Sequence, residues 1–142
     1  MKRIAFLLML LVLSLSLAAC SRDENGPMGP DAGVDNVPNL VGTYIVNGFD
    51  PLGTEYSGHL TIMAGEKSGA YDMQWIVVGS IQEGKGVVDG NMLKVTWYSI
   101  TDIDESSEGT ALYTITVNSE LYGNRWVDGH DGEGIERAYP NQ

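Results

Sequence analysis

The chain has 142 residues, 19 Asp and Glu against 8 Lys and Arg for a formal net charge of −11, and a single cysteine. That length suits one domain with short extensions, and the acidity excludes a nucleic-acid surface, which needs clustered Lys and Arg to meet phosphate. One thiol excludes an internal disulfide and any metal centre built on several cysteines.

Met1-Lys2-Arg3 is a basic start, and Ile4 to Leu17 is an apolar run of 14 residues broken only by Ser14 and Ser16. A membrane-spanning helix needs about 20 apolar residues, so the run fits the core of an export signal rather than a permanent span. Leu17-Ala18-Ala19-Cys20 resembles the lipobox of bacterial lipoproteins. The resemblance implies removal of residues 1–19 as a signal peptide, a diacylglycerol on Cys20, and attachment to a membrane through that lipid. Ser21 rather than Asp follows the cysteine, which by resemblance to enteric sorting rules implies the outer membrane. Lys2 and Arg3 leave with the signal, so 6 basic face 19 acidic side chains, a net −13. Anionic headgroups repel such a surface, and the lipid rather than surface charge has to carry the attachment.

From Ser21 to about Pro38 large apolar side chains are nearly absent, and the two Gly-Pro pairs are too few for a collagen helix. Such a stretch buries too little to fold alone. Residues 20–39 are therefore expected to be a lipidated cysteine and flexible tether, and residues 40–142 the folded domain.

From Val41 onward apolar and aromatic residues recur at every second position in short runs separated by Gly, Asp, Asn and Ser, which is strand periodicity. Tyr44 and Val46 alternate in the first run, Tyr56, Gly58, Leu60 and Ile62 in the second, and Tyr71, Met73 and Trp75 in the third. Gly84, Gly86 and Val88 follow, then Leu93, Val95 and Trp97, then Ala111, Tyr113, Ile115 and Val117. A seventh strand is expected near Leu121 to Val127 and a short eighth near Ile135 to Tyr139. Asp89-Gly90-Asn91 and, more weakly, Asn118-Ser119 are tight-turn signals.

Eight strands in hairpin order, each with one apolar face, predict an all-β fold: a small antiparallel up-and-down barrel, or a flattened barrel approaching a two-sheet sandwich. Closure removes exposed edges, which favours the barrel. All 18 glycines lie beyond residue 19, about twice the usual ~7%. Gly58, Gly84, Gly86 and Gly123 inside strands would let a curved sheet bend and leave room for large neighbours. Tyr44, Tyr71, Trp75, Trp97 and Tyr113 would then either fill the interior or line a cavity for a small apolar ligand.

The order Gly42-x-Tyr44, Tyr56-x-Gly58, Tyr71-x-Met73-x-Trp75, Gly84-x-Gly86, Leu93-x-Val95, Tyr113-x-Ile115, Leu121-x-Gly123 and Gly134-x-Glu136 resembles a family of small secreted bacterial proteins, some labelled fibronectin-binding. The resemblance covers roughly residues 42–138 and implies an extracellular-matrix partner. Trp126 stands three residues after Gly123 where the family pattern has two, so a bulge is expected there. Lipocalins and avidin are similar in the expected architecture.

Candidate chemistry is sparse. His59 alternates to the outside of its strand, and His130 sits in the oxygen-rich loop Asp128 to Gly134. Asp102-x-Asp104-x-Ser106-x-Glu108 begins like a calcium loop, but Ser107 replaces the required glycine and Tyr113 the bidentate glutamate. No metal or other cofactor is expected. No serine lies in a Gly-x-Ser-x-Gly elbow and histidines are scarce, so no nucleophile-plus-base pair is visible. Glu136 is the acidic residue of most interest, because it falls inside an expected strand. The sequence thus points to a non-enzymatic, membrane-anchored envelope lipoprotein displaying a β-barrel binding or interaction module with an envelope or extracellular protein partner. The alternative is a lipocalin-like carrier of a small apolar ligand, which requires an internal cavity open at one end.

Overall fold

The computed structural model describes residues 27–101 and 107–141. Cys20, the lipobox and most of the Asp102–Glu108 spacing lie outside the described residues. The strands are β1 (Gly42–Phe49), β2 (Glu55–Ala64), β3 (Ala70–Val77), β4 (Ser80–Asp89), β5 (Met92–Ser99), β6 (Glu108–Ile115), β7 (Leu121–Val127) and β8 (Gly134–Pro140). Each pairs antiparallel with its neighbour in sequence, and β1 pairs with β8, so the sheet closes on itself as the expected up-and-down barrel. Among the described residues none of the eight barrel strands is left with an unpaired edge.

Period two decides which side chains share the interior. On β5, Leu93, Val95, Trp97 and Ser99 are buried while Lys94, Thr96 and Tyr98 face water. The same alternation buries Tyr44, Val46, Leu60, Ile62, Met73, Trp75, Ala111, Tyr113 and Ile115 in one core. Trp97 pairs with Gly84 on β4 and with Gly109 on β6. A Cβ at Gly109 would stand 3.0 Å from Cζ2 of Trp97, and one at Gly84 would stand 3.0 Å from Cζ3 of Trp75. The two indoles therefore lie across strand positions that only glycine leaves empty.

Two local expectations are corrected. Val117 was expected on the sixth strand, but β6 stops at Ile115 and Val117 is exposed in the following turn. There the Thr116 amide donates to the Glu120 carbonyl and Ser119 takes a φ of 63°, geometry that turns the chain before Val117 can face inward. The expected bulge in β7 is absent: pairing with β6 runs residue for residue from Leu121 opposite Ile115 to Val127 opposite Gly109. With the register unbroken, Gly123 is followed on the inner face by Arg125, and Trp126 points outward.

The expected tether does not run flexibly as far as residue 39. Gly29 N–H donates to Glu120 Oε2 at 2.7 Å, Ala32 N–H to the Ile115 carbonyl at 2.8 Å, and Val117 N–H to the Pro30 carbonyl at 2.9 Å. Tyr122 Oη donates to Asp31 Oδ1, and Tyr44 Oη donates to the Leu40 carbonyl at 2.7 Å. Ala32 and Leu40 are both buried in the core. This strap closes the barrel end where β1 starts. Most of its bonds use main-chain groups, and its apolar anchors are few, Ala32 and Leu40 buried and Val37 partly buried, so its composition resembles that of an unfolded linker. The β1–β2, β3–β4 and β7–β8 connections surround the opposite end, where β5 ends and β6 begins.

A candidate ligand cavity at the unstrapped end

The strands place a run of polar side chains just above the middle of the interior. Glu136 on β8 is fully buried, and four donors converge on its carboxylate. Trp75 Nε1 (3.1 Å) and Tyr113 Oη (2.6 Å) donate to Oε1, and Tyr56 Oη (2.6 Å) and Arg125 Nη1 (2.7 Å) donate to Oε2. A carboxylate has about four lone-pair sites, so its capacity is filled. Arg125 on β7, next to Glu136 on the neighbouring strand, also donates from Nη2 to Gln82 Oε1 at 2.7 Å. Its guanidinium carbon lies 4.5 Å from the ring centroid of Trp97 and 5.1 Å from that of Trp75, within cation–π range.

These contacts fix the charges. Burial would push the Glu136 carboxyl up, but the Arg125 charge, with hydrogen bonds from Tyr113, Tyr56 and Arg125, outweighs it and holds the group below the usual carboxylate range. Burial would likewise push Arg125 down, and Glu136 first, then Tyr113 and Tyr56, hold it above its ordinary value. Tyr113 and Tyr56 are raised by burial first and by Glu136 second, so both stay protonated and remain donors. Tyr44, at the strapped end, is pushed up to about 12 by burial and by Tyr71.

Above this layer the barrel is hollow. A cavity of about 270 Å³ opens at the unstrapped end. Arg125, Gln82, Tyr56 and Trp97 line its depth, Val77 and Val127 its walls, and Phe49, Asp50, Thr54, Glu55, Val78 and Ser80 lie nearer the mouth. The mouth loops carry exposed apolar side chains: Leu52 is 85% and Val78 78% exposed.

Of the five residues expected to line a cavity, Trp97 alone does so. Trp75 and Tyr113 lie beneath it with their polar tips on Glu136. Tyr44 is at the strapped end, and Tyr71 is half-buried at the start of β3, where it pairs with Gly86. Glu136, flagged for its place in a strand, is the hub of the polar layer. His59 and His130 are exposed. Among the described residues no group of three His, Cys, Asp or Glu is placed to hold a metal ion. Sequence reasoning missed Arg125 and Gln82. The signal for Arg125 was period two itself, since Leu121 and Gly123 on the inner face put Arg125 there next.

No protein-family model matches the chain, and no curated protein matches it. Among solved structures it is similar to a redesigned β-barrel, mFAP1, determined bound to DFHBI, with a TM-score of 0.59 and 15% identity over 72% of this chain and 94% of that one. The likeness is one of fold: both chains are β-barrels.

Proposed function

We propose that this protein is a non-enzymatic binding barrel that holds a small, largely apolar ligand in the cavity at its unstrapped end. One observation carries this: the interior is not filled from end to end, but gives way above Arg125 and Trp97 to a space of about 270 Å³ open to solvent. That is just below the roughly 300 Å³ at which the usual range of ligand sites begins, which suits a small ligand, and a few polar groups at the base of apolar walls are their usual composition. The mFAP1 barrel, determined bound to DFHBI, supports the same use of such an architecture.

The test is a titration of the soluble chain from residue 20, with Cys20→Ala, using the neutral dye Prodan. That chain includes every strap and barrel residue. Saturable binding with a blue-shifted emission is expected. Val127→Trp, which fills the cavity from its wall, is expected to weaken binding at least tenfold while leaving the melting transition cooperative. Equal affinity in the two proteins places the dye elsewhere and contradicts the proposal.

Lipid attachment at Cys20 belongs to the same proposal. Cys20 precedes the strap at the closed end, so an anchored barrel turns its mouth away from the bilayer, toward ligand in the aqueous phase. Incorporation of labelled fatty acid that survives Cys20→Ala would remove the anchor.

A further inference from the structure

The polar layer under the cavity also restricts what chemistry the ligand brings. We infer that the site selects an electrically neutral ligand carrying a hydrogen-bond acceptor at its leading edge, which meets the Arg125 guanidinium, and discriminates against fatty-acid-like anions. This deepens the proposed ligand-binding function and rests on it.

Arg125 is 5% exposed, and the cavity is where it borders open space. Its bonds to Glu136 and Gln82 use two of the five N–H groups of a guanidinium and Tyr56 is a further side-chain partner, so donors still remain for an incoming acceptor. The guanidinium carbon lies over the rings of Trp97 and Trp75, which holds the group in place at the floor of the cavity. A ligand that filled the cavity with hydrocarbon alone would cover a guanidinium edge without replacing its water, a desolvation cost that a carbonyl or ether oxygen removes.

Charge decides the rest. Arg125 and Glu136 already neutralise one another, and Tyr56 and Tyr113 stay protonated, so the buried layer carries no net charge. A carboxylate brought to Arg125 would leave one negative charge uncompensated beside the fully buried Glu136. At the mouth Asp50 and Glu55 also line the cavity and repel an entering anion. A cation entering fully would sit against Arg125. A neutral molecule of about two fused rings with one oxygen acceptor satisfies all these groups.

Three ligands of one shape test this on the unsubstituted barrel, so no variant has to fold: 2-acetonaphthone (neutral, acceptor), 2-ethylnaphthalene (neutral, no acceptor) and 2-naphthoate (anion), each measured by displacement of Prodan. The ketone is expected to bind at least tenfold more tightly than either of the others. A merely greasy pocket would rank the more apolar ethylnaphthalene first, and a fatty-acid-type site would rank naphthoate first. Either ranking, or three equal affinities, overturns the acceptor inference while leaving the cavity as a ligand site. Failure of Prodan and of all three ligands to bind overturns both.

Discussion

Arg125→Leu is expected to destabilise the barrel by about 3–5 kcal/mol at neutral pH, the usual cost of removing one partner of a buried ion pair, and to invert the acid dependence of its stability. In the native protein Glu136 is held below the ordinary carboxylate range, so its stabilising share is fully present above the unfolded value of about 4.3 and is lost as pH falls through the lower folded value. Without Arg125 the largest influence on Glu136 is burial, which raises it, and only hydrogen bonds from Tyr113, Tyr56 and Trp75 oppose that. Its folded value then lies above the unfolded one. Ionised Glu136 becomes a liability at neutral pH, relieved as the carboxyl takes up a proton. The deficit of Arg125→Leu relative to the native chain should therefore shrink as pH falls from about 7 toward about 4.5, in urea titrations at both pH values. A deficit that is constant or widens over that interval would show that Glu136 is not the buried counter-charge. Leaving Arg125 alone by Glu136→Ala should cost a similar amount with no such recovery, because a guanidinium does not lose its proton in this range.

Gly123→Ala is expected to cost about 3 kcal/mol, at or beyond the upper end of overpacking losses. A Cβ at that position would lie 1.9 Å from the Leu112 carbonyl oxygen and 2.8 Å from Tyr113 Cα, both backbone atoms of β6. Neither can retreat without breaking the β6–β7 ladder, in which Gly123 stands opposite Tyr113. Tyr113 in turn supplies one of the four donors to Glu136, so the polar layer is disturbed as well. Gly33→Ala is the control: a Cβ there meets nothing within 4 Å, and its unfolding midpoint should stay close to that of the native chain. Equal urea midpoints for the two variants would contradict the close approach of β7 to β6.

The eight strands were legible because alternation in Tyr44 and Val46, in Leu93, Val95 and Trp97, or in Tyr113 and Ile115 is a local pattern that survives in any register facing one core. Closure was legible from the hairpin order of eight strands and the need to remove their exposed edges. Depth along the barrel was not. Tyr44 and Trp97 both face inward, yet register puts one beneath the strap and the other on the cavity, and register is a property of strand pairs. Glu136 stood out because a carboxylate inside a strand needs a reason. Arg125 was hidden by Trp126: an aromatic residue is the expected inward side chain, and giving that place to Trp126 required a bulge, whereas the unbroken ladder needed none. The strap was invisible because Ala32, Val37 and Leu40 are too few and too unevenly spaced to make a period, and the bonds at Gly29, Pro30 and Ala32 involve main-chain groups.

Intermolecular nuclear Overhauser contacts from bound 2-acetonaphthone test the account most directly. Contacts from the ring protons to Trp97, Val77 and Val127, with the methyl ketone end nearest the Arg125 side chain and none to Tyr44 or Leu40, are the predicted result. Contacts confined to the strapped end or to the outer face of the sheet would contradict it.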